Sequence, residues 1–158
     1  MIRKGIAILG STGSIGTQAL EVIFEHKKLF DVQVLTANNN YKLLIEQAKT
    51  FSPNSVVITN ENHYNTVNNA LSKLGIKVYT NERSLCGVVS EEGVDIVLTA
   101  LVGFSGLRPT ISAIRAKKNI ALANKETLVV AGDLISKLCL ENNVNIIPVD
   151  SEHSAMFQ

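Results

Sequence analysis

The sequence contains no tryptophan, only two cysteines and three prolines, and almost no excess of charge of either sign. A net charge of +1 excludes the basic surface typical of nucleic-acid-binding proteins and the polybasic tail typical of membrane-surface proteins. The apolar stretch near the start covers only about five residues, too few for a signal-peptide core or a membrane-spanning helix. We therefore expect neither nucleic acid nor a membrane as a partner.

The two cysteines, Cys86 and Cys139, lie far apart and lack the C-x-x-C spacing of redox and metal sites. Each falls in a predicted helix, where a buried free thiol is the expected state. Free thiols fit a reducing compartment, so we expect the protein in the cytoplasm.

Apolar residues make up 46% of the 158 residues and charged residues 18%, as in a folded domain with a hydrophobic core. Apolar runs alternate with amphipathic segments, which predicts an α/β fold: a Rossmann-like, doubly wound, mostly parallel sheet of about seven strands with helices on both faces. The predicted strands cover residues 6–9, 32–36, 55–58, 76–79, 94–99, 119–123 and 145–149. The predicted helices cover residues 14–26, 41–51, 60–74, 83–90, 107–117 and 128–142.

A glycine-rich stretch, Gly10-Ser-Thr-Gly13-Ser-Ile-Gly16, joins the first predicted strand to the first helix. A helix start offers unpaired N–H groups and partial positive charge, so this turn suits a phosphate. The glycines allow a tight turn, close approach of a pyrophosphate and packing of helix on strand, and the hydroxyls of Thr12 and Ser14 lie beside the predicted site. The alternative is a glycine-rich turn without a ligand.

The end of the second predicted strand lacks the acid that accepts a hydrogen bond from the 2′-OH of NAD. It carries Thr36, then Asn38, Asn39 and Asn40, with Lys42 close behind. Neutral amides and a nearby cation accommodate a 2′-phosphate, so the sequence favours NADP over NAD. An Asn-rich turn that caps the following helix is a compatible alternative.

Two further strand ends carry residues suited to a ligand. Small residues follow the fifth strand in Ala100-Leu-Val-Gly103-Phe-Ser-Gly106 and leave room for a nicotinamide or sugar ring, unless they only form a tight loop. The sixth strand delivers Asn124, Lys125 and Glu126 to the crevice where open α/β sheets bind ligands. Lys125 is a candidate for substrate phosphate or hydroxyls, and Asn124 and Glu126 for ribose or nicotinamide. Glu126 is also an ordinary first-turn residue of a helix.

The helix that follows, predicted over residues 128–142, is expected to turn one apolar face toward the core. The residues predicted on this inward face are Val129, Val130, Leu134, Ile135, Leu138 and Cys139.

The seventh predicted strand ends in Asp150-Ser-Glu152, two carboxylates on the same side of an extended segment. Such a pair suits a hard divalent cation, Mg²⁺ or Mn²⁺, although a polar loop or helix cap is the alternative. Two carboxylates do not complete a metal cage, and Ser154-Ala-Met-Phe-Gln158 reads as the start of another element. We therefore expect the chain to be the N-terminal part of a longer enzyme.

Four segments in this order resemble the 1-deoxy-D-xylulose 5-phosphate reductoisomerase family. They are Gly10-Ser-Thr-Gly-Ser-Ile-Gly16, Ala100-Leu-Val-Gly103, Ala123-Asn-Lys-Glu126 and Pro148-Val-Asp-Ser-Glu-His153. The resemblance implies an NADPH-binding domain over residues 1–149 and the start of a catalytic domain over residues 150–158. It implies metal-assisted rearrangement of 1-deoxy-D-xylulose 5-phosphate and reduction by NADPH to 2-C-methyl-D-erythritol 4-phosphate, an isoprenoid precursor of the non-mevalonate pathway.

The resemblance also implies a role for each matching residue. Lys125 and Glu152 would be catalytic, Asp150 and Glu152 would bind Mg²⁺ or Mn²⁺, and Lys125, Ser151 and Glu152 would contact the sugar-phosphate substrate. The residues implied at NADPH are Gly10, Thr12, Gly13, Ser14, Ile15, Gly16, Asn38, Asn39, Asn40, Asn124 and Glu126. The family often has a glycine and a basic residue where this sequence has Asn38 and Asn39. A homodimer of the full-length enzyme is implied as well, while this chain alone is expected to bind cofactor without catalysis.

Two other functions fit the motifs. One is another NADP-dependent dehydrogenase, of semialdehyde or homoserine type, which would not need the carboxylates at 150 and 152. The other is a dinucleotide-sensing domain without catalysis. The carboxylate pair argues against it, because two acids do not help a crevice to bind an anion. Metal dependence of the full-length protein would distinguish a reductoisomerase from both of these alternatives.

Overall fold

Residues 2–149, which the computed structural model describes, form strands and helices in nearly regular alternation. The strands are β1 (Lys4–Leu9), β2 (Phe30–Ala37), β3 (Ser55–Ile58), β4 (Lys77–Thr80), β5 (Ile96–Thr99), β6 (Asn119–Leu122) and β7 (Ile146–Pro148). The helices are α1 (Ser14–Glu25), α2 (Tyr41–Phe51), α3 (Tyr64–Leu71), α4 (Arg83–Val88), α5 (Leu107–Arg115) and α6 (Lys125–Asn142). Short 3-10 turns at Glu61–His63 and Ser72–Leu74 flank α3.

The seven strands form one sheet in the order β4-β3-β2-β1-β5-β6-β7, and each neighbouring pair is parallel. The chain winds outward from β1 to β4, then returns beside β1 with β5 and winds outward on the other side. The strand order therefore reverses between β1 and β5. In open α/β sheets, the crevice at the carboxyl ends of the strands at such a reversal is the place where ligands bind.

The central strands of the sheet are buried on both faces, as is usual in parallel sheets, whereas the edge strands β4 and β7 are partly exposed. Alternation along β1 sends Ala7 and Leu9 into a core with α4, α5 and α6, and Ile6 and Ile8 into a core with α1, α2 and α3. Each of these four side chains is less than 9% exposed. The predicted doubly wound fold with helices on both faces is confirmed, and the described strand pairs are wholly rather than mostly parallel.

Most predicted elements agree with the structure to within one or two residues, and the exceptions are local. The predicted helix 60–74 is a composite in which 3-10 turns precede and follow α3. The last helix begins at Lys125, three residues before the predicted start at 128, because the Asn124 side chain accepts a hydrogen bond from the Glu126 N–H and caps it.

The predicted inward face of α6 was wrong for three of its six residues. Val129, Val130 and Leu134 are 84%, 58% and 47% exposed, whereas Ile135, Leu138 and Cys139 are buried as expected. Ala131 has non-helical backbone angles (φ −132°, ψ 23°), so the helix is kinked there. The kink is not the cause of this exposure, because at about 100° per residue Val129 and Val130 lie on the side of the helix opposite Ile135, Leu138 and Cys139.

Both cysteines are free thiols in helices, as predicted, but Cys86 is only half-buried, whereas burial was expected for both. Cys139 is buried against the sheet, and this burial raises the pKa of its thiol. Cys139 therefore packs as a protonated, apolar side chain at neutral pH. Among the described residues, no helix is both long and apolar enough to cross a membrane.

Thr127, in the first turn of α6, is 1% exposed and its hydroxyl has no hydrogen-bond partner in the described structure. Replacing it by valine keeps the shape and removes a desolvated polar group. We expect Thr127→Val to raise the free energy of unfolding by up to about 1 kcal/mol, measured by urea denaturation.

The matched control is Thr110→Val in α5. Thr110 is fully buried, but its hydroxyl donates to the Gly106 carbonyl at 2.6 Å, so valine there removes a satisfied hydrogen bond. We expect a loss of about 1 kcal/mol. Equal losses in the two variants would contradict the assignment of Thr127 as an unsatisfied group.

Candidate functional site

The glycine loop between β1 and α1 lies at the point where the strand order reverses. Gly10 has φ +85°, a conformation that side chains disfavour, and a Cβ atom there would lie 2.8 Å from the Ala100 carbonyl oxygen. The loop after β1 thus lies directly against the loop after β5. Residues from both loops therefore face one crevice.

Gly16 allows α1 to pack directly on this loop. A Cβ atom at Gly16 would overlap the Gly10 carbonyl oxygen and lie 2.6 Å from the Ser11 Cα. The neighbouring atoms are backbone, which cannot move aside as a flexible side chain does. Only glycine fits at this position, as the predicted role in helix–strand packing requires.

The amino end of α1 is open to an anion. Gly13 occupies the N-cap position and provides no side-chain cap, and the first turn contains no acidic residue. Gly13 and Ser14 are exposed, and Thr12 and Ile15 are half-buried beside them. The N–H groups of this first turn and the helix dipole together favour a phosphate.

A buried hydrogen-bond network fixes the glycine loop to the neighbouring elements. The Ser11 hydroxyl donates to Gln47 Oε1 at 2.8 Å, and Gln47 Nε2 donates back to the Ser11 carbonyl at 2.9 Å. The Gly10 N–H donates to the Thr36 hydroxyl at 2.9 Å, and the Ser11 N–H donates to the Thr36 carbonyl at 2.9 Å. The loop is therefore held by α2 and β2 before any ligand arrives.

Sequence reasoning missed Gln47 and the structural role of Thr36. Thr36 is 1% exposed, and its hydroxyl accepts a hydrogen bond from the Gly10 N–H in the glycine loop. The signal for Gln47 was its position on the apolar face of α2, between Leu44 and Ala48, where a polar side chain needs a buried partner. The partner itself, Ser11, lies 36 residues away in sequence.

The three asparagines after β2 are exposed at the carboxyl edge of the sheet. Asn40 caps α2 by accepting a hydrogen bond from the Leu43 N–H at 3.3 Å. Asn38 Oδ1 accepts from the Thr59 hydroxyl at 2.9 Å, and Asn39 Oδ1 accepts from Asn60 Nδ2 at 2.7 Å. The side-chain oxygens of Asn38 and Asn39 thus face the loop after β3, and the NH₂ groups of these two residues remain as donors.

Asn124 holds the loop after β5 in place. Its Nδ2 donates to the carbonyl oxygens of Leu101 and Gly103, at 2.6 and 2.7 Å, and its Oδ1 caps α6. The side chain is 4% exposed, so its polar atoms serve the protein's own backbone. Asn124 shapes the crevice, while a direct contact from it to a cofactor stays a prediction.

Lys125 and Glu126 are exposed at the start of α6, on the same edge of the sheet as the glycine loop. Asp150, Ser151 and Glu152, predicted at the metal and the substrate, lie outside the described residues. Within residues 2–149, no group of three or more His, Cys, Asp or Glu side chains is arranged to hold a metal.

A cleft of about 310 Å³ runs from the glycine loop to Asn38. This volume is within the usual range for small-molecule sites. Its lining includes Gly13, Ala37, Asn38, Thr59, Leu101 and Glu82. Glu82 immediately precedes α4, and the sequence did not predict it in the cleft, because the acid that binds a ribose normally follows the second strand. The fold brings this carboxylate to the cleft from a more distant strand end.

The edge between β1 and β5 therefore offers a phosphate site at a helix start and a nucleoside-sized cleft beside it. This combination defines a Rossmann-type dinucleotide-binding domain. The sequence profile of the 1-deoxy-D-xylulose 5-phosphate reductoisomerase family matches residues 6–132. The chain belongs to this family.

Relatives and solved structures agree with this membership. A protein of Bacteroides fragilis named 1-deoxy-D-xylulose 5-phosphate reductoisomerase is 60% identical over 156 residues, which cover 99% of this chain and 40% of the relative. The Zymomonas mobilis enzyme in complex with NADPH superposes with a TM-score of 0.91 at 37% identity and covers 99% of this chain and 41% of that one. A DOX-P reductoisomerase with NADPH, fosmidomycin and magnesium gives a TM-score of 0.89 at 35% identity and covers 95% of this chain and 37% of that one. The chain thus spans about two fifths of the length of such relatives.

Proposed function

We propose that this chain is the NADPH-binding part of a 1-deoxy-D-xylulose 5-phosphate reductoisomerase, which forms 2-C-methyl-D-erythritol 4-phosphate with a divalent metal. Residues 1–149 would form the NADPH-binding domain, and residues 150–158 would begin the catalytic domain. The observation that supports the proposal most strongly is the start of α1, which has no side-chain cap. It lies at the same edge of the sheet as the asparagine side chains that follow β2.

The cofactor's pyrophosphate fits the first turn of α1. Gly13 at the N-cap lets the backbone approach it closely, and the N–H groups of the first turn of α1 are available to it. Gly10 and Gly16 allow the loop to pack on Ala100 and α1 to pack on Ser11. The hydroxyls of Thr12 and Ser14 lie at the same end and can donate to the phosphate oxygens. The bonds from Gln47 and Thr36 hold this loop in its binding conformation, which lowers the entropic cost of binding.

The adenosine 2′-phosphate fits the corner formed by Asn38, Asn39 and Asn40. With their oxygens engaged by Thr59 and Asn60, Asn38 and Asn39 present NH₂ donors, which a phosphate accepts well. No carboxylate follows β2 to repel it. Glu82, on the far side of the cleft, is available to the amino group of the adenine.

The substrate and metal would lie at the other end of the crevice, next to Lys125 and Glu126. Bound NADPH supplies hydride, and Mg²⁺ or Mn²⁺ polarises the substrate's oxygen atoms. Lys125 and Glu152 would be the catalytic residues, Asp150 and Glu152 the metal ligands, and Ser151 a further substrate contact. Asn124 and Glu126 would orient the nicotinamide end.

We infer a cytoplasmic enzyme, because two free thiols fit a reducing compartment. A homodimer of the full-length protein is part of the same proposal and follows from its likeness to the family.

The first test is a titration of the protein with NADPH and NADH, followed by nicotinamide fluorescence. We expect NADPH to bind at least about tenfold more tightly, the effect of one charge-assisted hydrogen bond or more to the 2′-phosphate. Tighter NADH binding would contradict the 2′-phosphate site and point to Glu82 as a ribose-binding acid. Absence of binding by a folded chain would contradict an independent cofactor site.

The activity itself is tested on the full-length protein with 1-deoxy-D-xylulose 5-phosphate, NADPH and Mg²⁺ or Mn²⁺. We expect NADPH oxidation that stops on chelation of the metal and returns when it is restored. Metal-independent turnover would favour another NADP-dependent dehydrogenase.

A further inference from the structure

A chain of hydrogen bonds links the loops after β2 and β3. The backbone N–H of Asn62 donates to Asn60 Oδ1 at 3.0 Å, and Asn60 Nδ2 donates to Asn39 Oδ1 at 2.7 Å. We call these three groups the amide relay. It begins in the 3-10 turn at Glu61–His63 and ends at the exposed asparagine predicted to meet the cofactor's 2′-phosphate.

The relay has a fixed direction. A backbone N–H group can only donate, so the atom of Asn60 that faces Asn62 is its oxygen. The NH₂ group of Asn60 must then face Asn39, which has to answer with its own oxygen. The amide of Asn39 is therefore turned so that its NH₂ group points away from the relay, where it can donate to a ligand.

The two loops are joined tightly enough to keep this geometry. The Thr59 N–H donates to the Ala37 carbonyl at 2.9 Å, and the Asn60 N–H donates to the Asn38 carbonyl at 3.3 Å. Within the loop after β2, the Tyr41 N–H donates to the Asn39 carbonyl at 2.8 Å. The Tyr41 ring stacks on His63, with 4.5 Å between the ring centres. Because these contacts fix the backbone, only the side-chain amide of Asn39 could still rotate. The hydrogen bond from Asn60 fixes its orientation.

We propose that Asn60 is a positioning residue that determines the preference for NADPH, since it orients the NH₂ group of Asn39 toward the 2′-phosphate. This inference rests on the proposed function. A reversed Asn39 would offer an oxygen, which repels phosphate oxygens but accepts a hydrogen bond from the 2′-OH of NADH. The orientation of one neutral amide thus decides which of the two cofactors is preferred.

Two variants break the relay and keep the cap on the 3-10 turn. In Asn60→Asp, a carboxylate still accepts from the Asn62 N–H but also demands a donor from Asn39, which reverses the Asn39 amide. In Asn60→Ser, the hydroxyl can still cap the turn but is too short to reach Asn39, which becomes free to rotate. Asn62→Asp is the matched control, because it adds the same charge beside the relay while its backbone N–H is unchanged.

We expect NADPH affinity to fall about tenfold or more in Asn60→Asp and about threefold in Asn60→Ser. Affinity for NADH should rise in Asn60→Asp, where the reversed Asn39 amide accepts from the 2′-OH, and should change less than about twofold in Asn60→Ser. NADPH affinity in Asn62→Asp should also change less than about twofold, since exposed charges are screened. Titration of the wild-type and variant proteins with both nucleotides gives these ratios. An NADH affinity that does not fall, together with an unchanged melting temperature, shows that the loop is intact. A merely structural role of Asn60 predicts instead that both nucleotides bind more weakly.

The outcomes separate this inference from the proposed function. Equal losses in Asn60→Asp and Asn62→Asp would show that charge alone acts, and an unchanged ratio in both Asn60 variants would show that Asn39 needs no positioning. Either result overturns the inference while the NADPH preference of the wild type stands. A wild-type protein without that preference would overturn the proposed function, and the inference with it.

Discussion

Replacing Gly16 by alanine is expected to lower NADPH affinity about 100-fold and to destabilise the fold by about 3 kcal/mol. The new Cβ atom would lie 2.6 Å from the Ser11 Cα and 2.8 Å from the Ser11 carbonyl carbon. Ser11 cannot retreat, because Gln47 and Thr36 hold it from behind. The start of α1 must therefore move away from the loop and take its N–H groups out of reach of the pyrophosphate.

The loss of affinity follows from the number of bonds involved. Two charge-assisted hydrogen bonds of about 1.5 kcal/mol each correspond to roughly a 100-fold change in the dissociation constant. Fluorescence titration measures the affinity, and urea denaturation measures the stability. NADH should lose as much as NADPH, since both nucleotides share the pyrophosphate.

Gly87→Ala in α4 is the matched control. A Cβ atom at Gly87 would have no neighbour within 4 Å, and alanine favours a helix, so we expect a stabilisation of about 0.5–1 kcal/mol and unchanged nucleotide binding. If Gly16→Ala instead binds NADPH like the wild type, α1 does not need its close packing on the loop to form the phosphate site.

Gly5→Ala should cost as much stability with a different functional signature. A Cβ atom at Gly5 would overlap the Gly93 carbonyl oxygen and lie 3.0 Å from the Gly93 carbonyl carbon. The contact is with backbone, and the Asp95 side chain also holds the Gly5 N–H at 2.8 Å. We expect a loss of about 3 kcal/mol or more, because β1 and the segment before β5 must separate.

Gly5 lies near the amino end of β1, at the edge of the sheet opposite the cofactor crevice. The fraction of Gly5→Ala that folds should therefore bind NADPH with wild-type affinity and keep the wild-type NADPH-to-NADH ratio. Gly93→Ala is the comparison: its Cβ atom would meet only the end of the Gln33 side chain, at 2.8 Å, which can rotate away. Equal destabilisation by the two variants would contradict this distinction between rigid and flexible neighbours.

Much of the fold was predictable because its signals are local. Continuous apolar runs bounded by Gly, Asn and Pro marked the strands, and the glycine stretch marked the turn at which the first helix begins. The exceptions lie in α6. Asn124 extended this helix by capping it, and Val129 and Val130 are exposed because helical spacing puts them on the side opposite Ile135 and Cys139.

The candidate site was predictable in its positions more than in its interactions. Strand ends drew attention to the glycine loop, the three asparagines and the triplet at Asn124, because ligands of parallel sheets bind at that edge. Which atoms were engaged depended on partners far away in sequence. Thr36 turned inward to Gly10, and Asn124 turned to the loop after β5.

The sequence by itself determined the alternation of strands and helices, the phosphate-binding turn and the absence of an acid after β2, since each depends on neighbouring residues alone. Only the tertiary structure decided that Gln47 holds the glycine loop, that Glu82 lines the cleft and that Asn60 directs the amide of Asn39. The two hydrogen bonds join residues 21 and 36 positions apart, and the cleft is lined by residues from different strand ends. Such groups come within contact distance only when the strands have paired into the sheet.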